Sequence, residues 1–279
     1  MLKYAISTTS ADIDTSFAIT LRGSEQECVR RAAALGYEGV ELNPTDTSVV
    51  NLKELRAAIR DTGVKCAAIA TGLSLPAHNC LLSDKEPEKR KTSIDALKHF
   101  INLAHEISSD IVIGQYKGRQ IPFAEIPDAK ERLRESLLIL SDYAQGSGVN
   151  MLLEAVNMYF STLMNSAAEL GEYIRTLKRE NIRLHIDSHH MNMHDRSALA
   201  LIRKYKDVLG YVHLSESNRY PIGYGTIDFY DYIAGLSNIA YNGFATVEVI
   251  GYPSQDKAAA GCLSALKELE QRYESRIIP

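Results

Sequence analysis

Residues 211–229, YVHLSESNRYPIGYGTIDF, contain one complete step from a β-strand to an α-helix. A short apolar run leads into His213 and Leu214, a loop with Pro221 and two glycines follows, and an amphipathic segment begins at Phe229. Proline and glycine commonly interrupt regular elements and shape loops. The stretch therefore predicts a strand, a long loop and a helix.

The same step recurs along the chain. Eight short apolar or β-branched segments are predicted strands, at 4–8, 39–43, 66–71, 111–115, 151–156, 183–188, 211–215 and 245–250. Segments with helical apolar spacing lie between and after them, at 24–36, 52–63, 87–108, 130–148, 166–180, 198–210, 229–241 and 258–276. Eightfold alternation of strand and helix predicts a (β/α)8 TIM barrel. An open doubly wound α/β sheet is the alternative, but no G-x-G-x-x-G motif follows the first strand.

Length and composition predict one TIM-barrel domain over residues 1–279, because 45% hydrophobic content is enough to build a full core. The N-terminus has no basic region followed by a sustained apolar segment, and no run of about eighteen apolar residues occurs. We therefore expect a cytoplasmic protein without a membrane partner.

Cysteine usage and net charge exclude further classes. Four cysteines are scattered without C-x-x-C spacing, which predicts reduced thiols and neither a disulfide framework nor a thiolate zinc site. The formal net charge of −4 gives no general attraction to phosphate backbones, so we expect no nucleic-acid partner.

Four ionisable residues lie within the last four predicted strands or at their ends: Glu154, Asp187, His213 and Glu248. Functional groups of a TIM barrel emerge at the carboxyl ends of its strands, and adjacent strands lie about 4.8 Å apart. The four side chains should therefore converge at one side of the barrel mouth. Each has hydrophobic neighbours, so its charge must be neutralised, paired or bound to a metal.

Three carboxylates and one imidazole form an oxygen-rich ligand set. Such a set suits Mn²⁺, Mg²⁺ or Co²⁺ better than a thiolate-preferring ion, and Zn²⁺ is a further candidate. Alternatively, the carboxylates pair with lysine or arginine and His213 is a core histidine. The strands supply few basic residues apart from Arg183, and unpaired buried carboxylates are costly, which favours the metal site.

Five segments carry a resemblance to a known family: LGYEGVEL (35–42), LLEAVN (152–157), IDSHHMN (186–192), HLSESNRYPIGYGTIDF (213–229) and ATVEVIG (245–251). Together they resemble the xylose-isomerase-like TIM barrels of the sugar isomerase/epimerase superfamily, and within it the D-tagatose 3-epimerase, or ketose 3-epimerase, group. The resemblance covers essentially the whole chain and is most specific from residue 150 onward.

The resemblance implies a site and a reaction. One divalent ion, commonly Mn²⁺ in that group, would be held by Glu154, Asp187, His213 and Glu248. Glu154 and Glu248 would also be the acid/base pair of a ketose 3-epimerase acting through an enediolate. His190 and Arg219 would contact the oxygens of a small sugar or sugar-derived substrate, and the chain would form dimers or tetramers.

Two further residues near the predicted strands have expected positions. Glu41, near the end of the second strand, is expected to bind substrate, because strand ends surround the pocket of a TIM barrel. His185 is expected to face the helices and to have a satisfied hydrogen bond.

One part of the family pattern is missing. The epimerases typically have E-x-x-N-R-x-E after the fifth strand, and here Met158 and Phe160 occupy the arginine and second glutamate positions. A polar contact to one end of the sugar is therefore lost or replaced, and Phe160 either forms an apolar wall or packs. This departure leaves the metal ligands unchanged, but it leaves the identity of the substrate open.

Other reactions use the same groups. An aldose–ketose isomerase would move a proton between adjacent carbons, and a lyase (dehydratase) would act on a sugar-derived or cyclitol substrate. An endonuclease of the same superfamily would need more histidines than this chain offers, and its acidic total charge disfavours DNA. A non-catalytic protein that binds sugar-derived ligands is the remaining alternative.

Overall fold

The computed structural model describes residues 1–277, and its centre is a closed sheet of eight parallel strands. They are β1 (Lys3–Thr9), β2 (Gly39–Leu42), β3 (Lys65–Ala70), β4 (Ile111–Ile113), β5 (Met151–Glu154), β6 (Ile182–Asp187), β7 (Leu209–Leu214) and β8 (Phe244–Val247). Each strand pairs with the next, and β8 pairs with β1 to close the barrel. A short strand, Leu21–Arg22, pairs in parallel with the carboxyl end of β1. The predicted (β/α)8 TIM barrel is confirmed.

Helices surround the barrel. They are α1 (Glu25–Leu35), α2 (Leu52–Thr62), α3 (Leu75–His78), α4 (Pro87–Glu106), α5 (Ile126–Gln145), α6 (Ala167–Leu177), α7 (Ser188–His194), α8 (Ala198–Lys204), α9 (Phe229–Asn238) and α10 (Gln255–Ile277). Single 3-10 turns lie at Thr47–Val49, Gly72–Ser74, Gln115–Lys117 and Phe123–Glu125. Two short helices were not predicted: α3, and α7 directly after β6.

Several helix ends follow from local chemistry. Gly36 and Gly63 end α1 and α2 with φ of 89° and 76°, a left-handed conformation that favours glycine. Ser166 begins α6, where its side chain accepts a hydrogen bond from the Glu169 amide at 3.0 Å. Asp187 begins α7 in the same way by accepting from the His189 amide at 2.7 Å. A predicted site residue is therefore also a helix cap.

Two apolar layers support the barrel. The larger fills the space between strands and helices, and a small one of alternate strand residues fills the barrel interior: Ala68, Ala70, Val112, Leu152 and Tyr211. Side chains two residues apart on a strand share a face. Glu154 and His213 therefore extend the faces of Leu152 and Tyr211, and stand above a packed interior.

Two other predictions concern the chain as a whole. The cysteines Cys28, Cys66, Cys80 and Cys262 are buried and free, as predicted. Within residues 1–277, no helix has both the length and the apolar content that crossing a membrane requires.

Candidate active site

The carboxyl ends of β5 to β8 bring the four predicted metal ligands together. Glu154 ends β5, Asp187 ends β6 in register with His213 on β7, and Glu248 directly follows β8. His213 Nδ1 lies 3.5 Å from Glu248 Oε2 and 3.8 Å from Asp187 Oδ2. The Asp187 and His213 side chains are only 0% and 2% exposed, so water contributes little to stabilising their charges.

This set of side chains fits a divalent cation. His213 Nδ1 is buried, and no described residue hydrogen bonds to it, although it faces two carboxylates. Three overlapping groups have ligand atoms within 4.8 Å of one another: Glu154, His185 and His213; Glu41, His213 and Glu248; and Glu154, Asp187 and His190. Carboxylate oxygens with one imidazole nitrogen suit Mn²⁺ or Mg²⁺.

Glu41 lies beneath His213. Its Oε2 is 2.7 Å from His213 Nε2, and its Oε1 accepts a hydrogen bond from Asn43 Nδ2 at 3.2 Å. The side chain is fully buried and does not line the cavity, so its position differs from the expected substrate contact. A carboxylate on one imidazole nitrogen orients the ring and directs the other nitrogen to a metal. Glu41 thereby aims Nδ1 at Asp187 and Glu248.

Arg219 is the cation that pairs with the cluster. Its Nη1 donates to Asp187 Oδ2 at 2.8 Å and to Glu248 Oε2 at 2.6 Å. The alternative considered from the sequence, that the carboxylates pair with a lysine or arginine, is therefore partly correct. The arginine comes from the loop after β7 and not from a strand. Arg183, the strand residue considered for this role, donates to the Leu209 carbonyl instead. A divalent cation and the guanidinium would share the same carboxylate oxygens.

The loop after β7 is shaped to present Arg219. Arg219 has φ of 63°, which is uncommon outside glycine, and its carbonyl accepts from the Ile250 amide at 2.7 Å. Glu216 accepts from the amides of Ser217 at 2.7 Å and Gly223 at 3.3 Å. Gly225 packs so closely against Glu216 that a Cβ would overlap the carboxylate. The glycines of the opening stretch thus hold the arginine loop.

His190 lies between Glu154 and Arg219. Its Nε2 is 3.2 Å from Arg219 Nη2 and 3.6 Å from Glu154 Oε1, and its Nδ1 is 2.9 Å from Asn157 Nδ2. Burial, with the nearby Arg219 charge, lowers the pKa of His190 to about 3 although Asp187 opposes this. A neutral imidazole therefore faces the cavity at physiological pH.

The carboxyl groups differ in charge state. Burial, reinforced by Asp187 and Glu248 against the opposing effect of His213, raises the pKa of Glu154 to about 8. Burial also raises the pKa of Asp187, but Arg219, His190 and His213 together hold it well below its usual value. At neutral pH one carboxyl group of the site carries a proton while another is ionised.

His185 lies elsewhere than expected. It shares a face of β6 with Asp187, two residues on, and its ring lies 4.1 Å from that of His213 and 5.0 Å from that of Tyr211. The side chain is fully buried, and neither ring nitrogen hydrogen bonds within the described part of the chain. The expected position facing the helices, with a satisfied hydrogen bond, was wrong. Burial lowers the pKa of His185 well below its usual value, so it packs as a neutral ring.

A cavity of about 390 Å³ opens above these residues. The acidic residues and the arginine in its lining all come from the second half of the barrel: Glu154, Arg219 and Glu248. The lining contributed by β1 to β4 and their loops is uncharged and includes Phe17, Asn43, Leu73, Val112 and Gln115. Sequence reasoning missed Phe17, although its position after the first strand is where a barrel mouth is built.

The two residues that depart from the family pattern differ in their position relative to the cavity. Phe160 lines the cavity and sets its ring edge against His190, with 5.8 Å between centroids. Met158 is exposed and does not line the cavity. Phe160 is therefore the expected apolar wall.

A buried lysine was also missed. Lys117, in the turn after β4, is fully buried, and its Nζ donates to the Leu163 carbonyl at 2.8 Å. Burial lowers the pKa of this lysine to about 8 although Glu154 and Glu169 oppose the shift. Lys117 thus anchors the segment that follows Phe160, and no local sequence pattern marks it.

Comparisons with known proteins identify relatives of this chain. An L-ribulose 3-epimerase from Methylomonas sp. strain DH-1 is 27% identical over 252 residues, which are 88% of this chain and 85% of the relative. A 3-dehydro-D-guloside 4-epimerase from Escherichia coli K12 is 24% identical over 230 residues, or 80% and 86% of the two chains. A solved L-ribulose 3-epimerase has the same fold, with a TM-score of 0.85 at 23% identity over 100% of this chain and 98% of its own.

The family assignment follows from a match over most of the chain. The family model described as xylose isomerase-like TIM barrel matches residues 29–269. The resemblance noted in the sequence is thereby confirmed, and the chain belongs to the xylose isomerase-like TIM barrel family.

Proposed function

We propose that this sugar epimerase is a divalent-metal-dependent ketose 3-epimerase. The observation that carries the proposal is the convergence of Glu154, Asp187, His213 and Glu248 at the barrel mouth, with Glu154 and Glu248 as two separate carboxyl groups. The relatives named L-ribulose 3-epimerase and ketose 3-epimerase support this reaction.

The four residues would hold the ion, for which Mn²⁺ is our first choice. When bound, a divalent cation would polarise the carbonyl of the ketose and acidify the adjacent C–H bond. Side chains of the protein would bind the sugar and transfer the proton. His190 and Arg219, both within the cavity, are placed to bind oxygens of the sugar.

Epimerisation needs a proton to leave one face of a planar enediolate and another to arrive on the opposite face. Two carboxyl groups in different states can do this, and a pair whose environments differ is the expected arrangement. In the metal-free protein burial raises the pKa of Glu154 to about 8, so this carboxyl group holds a proton more readily than an ordinary glutamate. Glu248 accepts a hydrogen bond from Arg219 Nη1 at 2.6 Å, which orients its carboxyl group. We assign Glu248 as the base and Glu154 as the acid in one direction, with the roles exchanged in reverse.

The test is proton NMR of Mg²⁺-loaded protein in D₂O with a panel of free and phosphorylated ketoses. Deuterium at carbon 3 together with a new ketose epimer is the expected result. Glu248→Gln should still bind the metal but should lose exchange by about a hundredfold or more, the usual contribution of general acid–base catalysis.

Other outcomes decide between the alternatives. Deuterium at carbon 1 or 2 would indicate an aldose–ketose isomerase. Loss of water from a sugar acid or cyclitol would indicate a dehydratase. Metal binding without exchange in any ligand would indicate a binding protein.

A further inference from the structure

Asn157, in the loop after β5, places its side-chain amide between a backbone N–H and the ring of His190. Its Oδ1 accepts a hydrogen bond from the Tyr159 amide at 3.0 Å, a turn that asparagine commonly forms with the residue two positions on. Its Nδ2 lies 2.9 Å from His190 Nδ1. The residue is only 1% exposed, so both ends of the amide depend on protein partners.

The Tyr159 contact determines which end of the Asn157 amide faces His190. The two ends of an amide are similar in shape, but the oxygen accepts and the nitrogen donates. In the reversed orientation the Asn157 amide nitrogen and the Tyr159 N–H would be two donors facing each other, and a buried donor without an acceptor is costly. Nδ2 is therefore the donor to His190, and His190 Nδ1 is the acceptor.

This hydrogen bond assigns the ring proton of His190. A neutral imidazole has one N–H, and the nitrogen that accepts a hydrogen bond does not carry it. The proton therefore lies on Nε2, which is 3.2 Å from Arg219 Nη2, itself a donor. The carboxylate oxygens of Glu154 and Asp187 lie 3.6 and 3.9 Å from Nε2, beyond ordinary hydrogen-bonding distance. Two N–H groups thus lie side by side, and an oxygen placed against them would accept from both.

We infer that Asn157 is a positioning residue, which holds the His190 proton on Nε2 so that His190 and Arg219 present two adjacent donors to one oxygen of the substrate. The assignment of the donors to a substrate oxygen rests on the proposed epimerase function. That oxygen would gain negative charge as the enediolate forms, and donors held in place beforehand stabilise such charge. His190 and Arg219 line the cavity, whereas Asn157 is not among the described lining residues. Asn157 therefore acts through His190.

The ring proton can be located without turnover. Protonated and unprotonated ring nitrogens of ¹⁵N-labelled histidine have distinct chemical shifts, and a long-range ¹H–¹⁵N correlation spectrum of the Mg²⁺-loaded protein reports both nitrogens of each ring. The signals of His190 are those that disappear in His190→Gln. In wild type we expect His190 Nε2 to be protonated and Nδ1 to be unprotonated.

Asn157→Asp reverses the hydrogen bond at Nδ1. A carboxylate can accept from both the Tyr159 amide and His190 Nδ1, so the ring proton should move to Nδ1, and Nε2 should then accept from Arg219 Nη2. The kcat for deuterium incorporation at carbon 3 of a ketose should fall by about a hundredfold, the usual effect of removing one donor to a developing charge. KM should change less, because that charge is absent from the bound substrate.

Asn165→Asp is the matched control, because it makes the same exchange in the same loop. Asn165 Nδ2 donates to the carbonyls of Val156 and Ser161, each at 2.8 Å, and does not contact the His190 ring. This variant should leave His190 Nδ1 unprotonated, whatever it does to the melting temperature.

The outcomes separate the two proposals. A proton on His190 Nδ1 in wild type, or an Nδ1 that stays unprotonated in Asn157→Asp, would overturn the inference and leave the epimerase intact. A reversed ring proton with unchanged kcat would show that the Nε2 donor does not act on the substrate. Absence of exchange with every ketose would remove the proposed function and the assignment of the donors to a sugar oxygen, while the spectra would still decide what Asn157 does to His190.

Discussion

Glu41 and His213 form a buried pair across the barrel, with Glu41 Oε2 2.7 Å from His213 Nε2. They come from β2 and β7 and are separated by 172 residues in sequence. Burial alone would lower the pKa of His213, but Glu41, Glu248 and Asp187 raise it well above its usual value. Without a metal the ring therefore carries a proton on Nδ1, which a cation bound at this nitrogen would displace.

The first prediction concerns this pair. Glu41→Gln should weaken Mn²⁺ binding by about 10- to 100-fold, the usual effect of losing a partner behind a metal-binding histidine. Isothermal titration calorimetry measures it without a substrate. Glu270→Gln is the matched control, because Glu270 is also buried and accepts from the Leu2 amide at 2.7 Å, away from the proposed metal ligands. Equal affinity in wild type and Glu41→Gln would contradict the orienting role.

The second prediction concerns Arg219, whose positive charge balances the carboxylates of Asp187 and Glu248. In metal-free protein Arg219→Met should reduce the free energy of unfolding by about 3 kcal/mol, because Asp187 and Glu248 lose their partner. Saturating Mn²⁺ should recover most of this loss, since an ion held by Asp187 and Glu248 would neutralise their charges. Urea denaturation with and without Mn²⁺ measures both values.

Arg175→Met is the control for the arginine experiment. Arg175 pairs with Asp207 at the surface, where such pairs contribute about 1 kcal/mol or less. If Arg219→Met lost the same free energy of unfolding with and without Mn²⁺, the ion and Arg219 would not share carboxylate partners.

The third prediction concerns Gly114, at the end of β4. A Cβ added there would lie 2.5 Å from Glu154 Oε2, so Gly114→Ala should displace this carboxyl group. We expect loss of turnover by about a hundredfold, as for other misplacements of about 1 Å. The melting temperature should change little, because the displaced atom is the end of a flexible side chain.

Gly72→Ala is the matched control for Gly114. Gly72 also lines the cavity, after the neighbouring strand, but an added Cβ meets no atom within 4 Å. Equal turnover losses in the two variants would indicate that any methyl group at the cavity edge is harmful.

The fourth prediction is a pH dependence of stability that arises from Lys117. Its pKa is about 8 in the folded protein against an ordinary value of 10.5. Between these values the unfolded chain binds more protons than the folded one, so the contribution of Lys117 to stability rises with pH. The contribution is fully present above pH 10.5 and is lost as pH falls through 8.

Lys117→Met removes this titration. The stability of wild type relative to Lys117→Met should therefore rise by about 3 kcal/mol in total as pH passes through the window, at 1.36 kcal/mol per pKa unit. Urea denaturation at pH 7 to 10 follows the lower part of the rise. A difference that does not change with pH would mean that Lys117 keeps its ordinary pKa.

The sequence was informative wherever function follows from strand order. Glu154, Asp187, His213 and Glu248 could be placed together because the carboxyl ends of parallel strands meet at one mouth. The closing glycines of α1 and α2 could be read in the same way, since glycine tolerates positive φ.

Other contacts depend on geometry that no local pattern encodes. The partner of His213 lies across the barrel, and the pairing of Arg219 depends on a loop held at φ of 63°. Lys117 contacts a carbonyl 46 residues away. His185 is a different case. Strand alternation alone puts it on the same face as Asp187, but the sequence analysis assigned it to the helix-facing side.

The uncharged lining from β1 to β4 means that pocket shape and proton transfer are assigned to different halves of the barrel. The proposed acid/base pair comes from the end of β5 and the segment after β8, whereas Phe17, Asn43 and Leu73 lie in loops after β1 to β3. Substitutions in those early loops can reshape the pocket for a new sugar while the reactive half stays constant. Divergence within this family can thus proceed by altering one half of a barrel at a time.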